Sequence, residues 1–187
     1  MISIKGQAVR QYLSTLKAMY GEEKYAELVD KLENDEFREL AQSENILASA
    51  WYPISYANQL IAATVATIPD IPDIPEQLGK EAMARDLRGI YGYIAGFLNP
   101  DVCLRYTPRL IQTFNKGLKL EAEKLGPGHA RVHFTNSSEI SDLLFRTMTG
   151  GTAAIFERVG ARNLTIKIVE GGKLGDPATT FELRWDA

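Results

Sequence analysis

A chain of 187 residues that is 45% hydrophobic and 24% charged carries enough apolar side chain for a sizeable core, which excludes a disordered tail or linker. Its formal net charge of −3 lacks the basic footprint of a nucleic-acid-binding protein. The single cysteine, Cys103, excludes an internal disulfide and a cysteine-based metal cluster.

The N-terminal stretch MISIKGQAVRQYL has no apolar h-region and no small-residue cleavage site, so it does not read as a signal peptide. The least polar run, Leu60–Ile74, is interrupted by prolines and aspartates and is too short to span a membrane. A cytoplasmic protein without membrane insertion is expected.

In chain order, Ile2–Lys5 alternates and reads as a short strand. Gln7–Tyr20 is an amphipathic helix with Val9, Leu13, Leu16 and Tyr20 on one stripe, stopped by Gly21. Glu22–Leu32 is a second helix, and Asn34 or Asp35 caps a third over Glu36–Gln42. Glu22–Glu44 holds nine acidic and three basic residues, which reads as the solvated face of these helices or as a docking surface for a basic partner. Pro53 suits the first turn of the apolar helix Ile54–Ile68. The Pro69–Pro75 segment, PDIPDIP, reads as a stiff connector with polyproline II character.

Glu76–Leu98 is the expected central helix, with Met83, Leu87, Ile90, Ile94 and Phe97 on its apolar stripe and Gly89, Gly92 and Gly96 on a second face. Each glycine costs a helix roughly 1 kcal/mol relative to alanine, so three in register call for close approach of a backbone or a flat ligand. Asn99-Pro100 ends this helix. Asp101–Asn115 forms the next, which Pro108 is expected to kink or divide.

From Leu118 the period changes to two. Leu118–Leu125 and Gly128–Phe134 make a hairpin around Gly126–Gly128, with Leu120, Val132 and Phe134 on the buried face. Ser137 or Ser138 caps a helix to Val159 whose inward stripe is Ile140, Leu144, Met148, Gly151, Ile155 and Val159. Leu164–Val169 and Thr180–Trp185 are the last strands. The fold class is α+β: a mainly helical part, 1–116, packed on an antiparallel β-β-α-β-β part, 117–187, within one domain covering 1–187.

No phosphate loop, dinucleotide fingerprint, zinc-protease motif or nucleophile elbow is present. His129 falls in the hairpin turn and His133 points away from the Val132 and Phe134 face. Cys103, near a helix start, could carry a lowered pKa, and the bland alternative is a buried inert thiol. Arg85 and Arg88 flank Asp86 one turn before Gly89. They read either as salt-bridging residues or as a pocket mouth for a carboxylate or phosphate. Trp51 and Tyr52 read either as core anchors or as walls of the same pocket. The candidate ligand-binding set is therefore Trp51, Tyr52, Arg85, Arg88, Gly89, Gly92 and Gly96, with no catalytic or metal-ligating residue.

The segments AWYPIS, LGKEAMARDLRGIYGYIAGFLNP, FNKGLKLEAEKLGPGHARVHF, GGTAAIFERVGARNLTIKIVEGG and FELRW, in that order, resemble a paralogous family abundant in myxobacteria. That family is similar to the heme nitric-oxide-binding and vinyl-reductase-like sensor domains. The resemblance implies N-terminal helices on a C-terminal antiparallel sheet with a ligand pocket between them, and a sensory role. The heme-binding members use a histidine from a helix preceding the sheet, and Asp101–Asn115 contains none. No cofactor is therefore expected.

The expected function is a non-enzymatic sensory or signalling module taking a small apolar or anionic ligand. The alternative is a protein-interaction adaptor, with a protein partner or as a homodimer. A third class is an enzyme using Cys103 or the Arg85/Asp86 pair.

Overall fold

In the computed structural model, residues 1–87 and 99–186 are described. Two antiparallel sheets divide the strands between them. The smaller joins β1 (Ser3–Lys5) to β2 (Trp51–Pro53) on one side and β3 (Asn115–Lys116) on the other. Ile4 pairs with Tyr52 and with Asn115. Trp51-Tyr52-Pro53 is thus strand, and Pro53 is the N-cap of α3 (Ile54–Thr67) rather than a residue of its first turn. Proline is tolerated at this strand end because it removes only one ladder donor.

The N-terminal helices follow the expected punctuation. α1 covers Gly6–Asp30 with non-helical backbone at Gly21 (φ 81°), so the two helices expected on either side of Gly21 meet at a break. Asn34 caps α2 (Asp35–Gln42), its side chain accepting from the Phe37 N–H at 2.8 Å. The three basic residues of the acidic stretch pair locally, Lys24 and Lys31 with Glu27 and Arg38 with Asp35.

α4 starts at Ile74, earlier than expected, because Pro75 occupies its first turn, where no N–H is needed. The last Ile-Pro of PDIPDIP is therefore helical. α4 ends at Asp86 with Leu87 as its C-cap, where the sequence pattern predicts a helix running to Leu98. The remainder of that expected helix, with Arg88, Gly89, Gly92 and Gly96, lies outside the described residues. α5 (Pro100–Phe114) is capped by Asn99 and runs through Pro108 as one helix rather than two.

The larger sheet has the order β4-β5-β7-β6, from β4 (Lys119–Gly126), β5 (His129–Thr135), β6 (Arg162–Glu170) and β7 (Ala178–Asp186). All four expected strands are present, antiparallel throughout. Leu120 lies opposite Phe134, Val132 opposite Phe181 and Ile166 opposite Leu183. Because side chains alternate across a strand, this register gathers them on one face.

α6 (Asp142–Arg158) lies on that face. Phe145 packs against Phe134 and Phe181 at centroid distances of 5.9 and 6.0 Å. The cap is Ser141, whose Oγ accepts from the Leu144 N–H, rather than Ser137 or Ser138. Ser137 is buried and donates instead to the Asp176 carbonyl, tying the entry of α6 to the β6–β7 loop.

α4 and α6 touch backbone to backbone. A Cβ added at Gly79 would lie 1.9 Å from the Thr147 carbonyl oxygen, and one at Gly150 would lie 2.0 Å from that of Glu76. Only glycine permits this approach. The contact is flanked by Arg146, which grips both carboxylate oxygens of Glu76 at 2.7 and 2.9 Å and donates to the Pro72 carbonyl.

Candidate functional site

The inward stripe of α6 does not bury fully against the sheet. Leu144, Met148, Gly151 and Ile155 share a cavity of about 130 Å³ with Leu120, Val132, Phe134 and Phe181 of the sheet. α1 contributes Ala8, Gln11 and Tyr12, and α4 contributes Gly79, Ala82, Met83 and Asp86. Thr107, Leu110, Ile111 and Phe114 of α5, with Ile4, Ile54, Asn115 and Ile140, complete the described wall. The Gly79–Thr147 contact holds α4 and α6 at backbone distance along one wall of this cavity.

Few polar groups enter. The hydroxyls of Thr107, Thr147 and Thr152 each donate to the carbonyl four residues earlier, at 3.0, 2.9 and 2.8 Å. Gln11 Nε2 donates to the Ala82 carbonyl at 3.1 Å, joining α1 to α4. Tyr12 and Asp86 stand apart. Burial pushes the Tyr12 hydroxyl up to about 12, and the nearby Asp86 carboxylate adds to the shift. Tyr12 keeps some accessible surface, as a cavity-lining ring must, yet protein surrounds it closely enough to disfavour the phenolate. Desolvation also raises the Asp86 carboxyl.

The residues singled out in the sequence are distributed differently. Trp51, Tyr52 and Arg85 are not among the side chains that line this cavity. Trp51 lies under the ammonium groups of Lys116 and Lys5, 4.2 and 5.5 Å from its centroid. Tyr52 stacks on Tyr56, and its hydroxyl accepts from the Leu47 N–H at 3.0 Å. Arg85 pairs with Glu81 at 3.0 Å, one helical turn away. Arg88, Gly89, Gly92 and Gly96 lie outside the described residues.

Both histidines lie on β5 at odd positions, whereas Ala130, Val132 and Phe134 turn inward. His133 Nδ1 sits 2.9 Å from Thr180 Oγ1 on the outer face, and His129 lies beside Glu182. Cys103 is 6% exposed and does not line the cavity. Burial pushes its thiol up to about 11, the reverse of the activation expected for a thiol near a helix start. Among the described residues no group of three or more histidine, cysteine, aspartate or glutamate side chains could hold a metal ion. No described helix is long and apolar enough to cross a membrane.

Sequence reasoning identified the sheet and α6 walls of the cavity through their periodicity. It missed Gln11, Tyr12 and the cavity role of Asp86. Tyr12 falls outside the stripe read for the first helix, and it was the one available signal, a bulky aromatic beside rather than on the apolar line.

The sequence matches no family model, and no curated protein matches it. Solved structures do match. A Tt H-NOX variant superposes with a TM-score of 0.72, at 14% identity, over 98% of this chain and 96% of that one. The chain has the H-NOX fold. The Fe(II) unliganded H-NOX protein from K. algicida agrees at a TM-score of 0.70 and 14% identity, with 98% and 97% of the two chains covered. An H-NOX structure solved to probe the function of heme distortion gives 0.65 and 15% over 98% and 96%. At these identities the likeness is one of fold, and it matches the arrangement of helices on an antiparallel sheet that the sequence resemblance implied.

Proposed function

We propose that residues 1–187 act as one non-enzymatic sensory module that binds a small, largely apolar ligand in the cavity between helices and sheet, without histidine-ligated heme. The observation that carries this reading is the cavity itself. Among the described residues five helices and both sheets converge on an apolar space with a few polar groups, the usual make-up of a small-molecule site.

Heme enters because the solved H-NOX structures include one named for heme distortion. The cavity's own donor set argues against its usual mode of attachment here. Its walls offer threonines, amides, Tyr12, Asp86, Met83 and Met148, while both histidines belong to the opposite face of β5. The remaining candidate thiol, Cys103, is buried away from the cavity and held protonated.

A second reading, the interaction adaptor, is favoured by the outer surface of α5. There Tyr106 is 54% exposed, with Val102, Arg105 and Arg109 beside it. One experiment separates the two. Native mass spectrometry of protein purified from its own host, repeated after denaturation, should show a monomer carrying a small organic mass that denaturation releases. A ligand-free dimer or hetero-complex would overturn the sensory reading in favour of the adaptor.

A further inference from the structure

The polar side chains of the cavity specify the head group of its ligand. Thr107 and Thr152 have each committed their only hydrogen to a helix carbonyl, which leaves oxygen lone pairs; Thr147 is bonded likewise and fully buried. Asp86 has no hydrogen to give when ionised, and among the described residues it makes no hydrogen bond or ion pair. Arg85, its neighbour in sequence, is occupied by Glu81. An unpaired carboxylate at the edge of an apolar space is a costly group to keep unless something compensates it.

The uncommitted capacity is therefore mostly that of acceptors, with one negative charge and, as a donor, the neutral Tyr12 hydroxyl. A carboxylate or phosphate ligand would meet lone pairs and like charge; a protonated amine would meet partners. The size follows from the volume. The cavity's roughly 130 Å³ is close to that of an engineered apolar cavity of about 150 Å³ that takes up benzene, so the buried body is about one ring or a short branched chain.

Resting on the reading of this cavity as a ligand site, we propose that its ligand is a small apolar amine, the hydrocarbon body against Leu144, Met148 and Phe181 and the ammonium group against Asp86. The amine donates to the carboxylate and to neighbouring side-chain oxygens, while the body excludes water from the pair and so strengthens it.

The test uses three probes with one body, benzylamine, benzyl alcohol and benzoate, titrated calorimetrically into the full chain and into Asp86→Asn. Benzylamine should bind the unsubstituted protein on the order of tenfold more tightly than benzyl alcohol, with benzoate weakest, as expected for a partly desolvated charge pair. Asp86→Asn should erase the advantage of the amine and leave benzyl alcohol binding unchanged. If benzyl alcohol or benzoate binds as tightly as benzylamine, the amine inference falls while the cavity remains a ligand site. If none of the three binds, the reading of the cavity falls with it. The comparison among probes on the unsubstituted protein decides the matter even if the variant fails to fold.

Discussion

Asp86 and Tyr12 occupy the same cavity, and each is shifted toward its neutral form by desolvation. For Asp86 the consequence has a definite sign. A carboxyl whose folded pKa is raised contributes stability below its unfolded value, and that stability is lost as pH rises through the folded value. Above the folded value the folded protein therefore holds an unfavourable charge. Asp86→Asn should raise the melting temperature at pH 7, and the gain should shrink toward zero as pH falls into the ordinary carboxylate range. A pH series of thermal melts on both proteins checks this. Cys103 makes the opposite kind of point. Its thiol is buried and pushed up to about 11, so at pH 8 it holds almost no thiolate. Alkylation by iodoacetamide should be far slower in the folded protein than in guanidinium, and a rate equal to that of a free thiol would restore Cys103 as a candidate nucleophile.

At the scale of elements, the contact between α4 and α6 sets the geometry of the cavity. The sequence drew attention to Gly89, Gly92 and Gly96, which lie outside the described residues; between α4 and α6 the close approach is made at Gly79 and Gly150. Both face backbone atoms that cannot rotate away. Alanine in a solvent-facing helix normally stabilises by up to about 1 kcal/mol relative to glycine. Here Gly79→Ala and Gly150→Ala should instead each cost about 1–3 kcal/mol through overpacking. For a chain of this size that is a fall of several degrees in melting temperature, at roughly 2–4 °C per kcal/mol. Gly126, where an added Cβ meets nothing within 4 Å, serves as the control and should tolerate alanine with little change. A raised melting temperature for both helix variants would show that the helices do not touch as described.

At the scale of the whole molecule, the H-NOX fold brings heme to mind, and the placement of the histidines argues the other way. β5 carries His129 and His133 on the outer face of the sheet because its even positions are committed to the core. Turning either ring into the cavity would require slipping the register by one residue, which would expel Val132 and Phe134 into water. Burying such side chains is worth roughly 1.5–3 kcal/mol each. Incubation with hemin should therefore give no stoichiometric Soret complex. A stable one that survives His129→Ala and His133→Ala would mean that a non-histidine ligand holds the iron.

What the sequence by itself determined is whatever a local period can carry. The change from a stripe of three-and-four spacing to strict alternation at Leu118 marked the passage from helices to sheet. The alternation in Leu118–Leu125, Gly128–Phe134, Leu164–Val169 and Thr180–Trp185 assigned inward and outward faces to the four strands of the larger sheet. The stripe from Leu144 to Ile155 likewise marked the wall of α6, even though its helix starts three residues later, at Asp142, than a cap at Ser138 implies. Periodicity reports how one element divides between core and solvent, and it does so without reference to any partner. Only the tertiary structure decided what meets across the elements. The pairing of Trp51-Tyr52-Pro53 with Ser3–Lys5, the seating of Gly79 on Thr147, and the meeting of Tyr12 with Asp86 each join segments far apart in the chain. No local spacing encodes such contacts, because they arise only when the chain closes on itself and distant segments pack together.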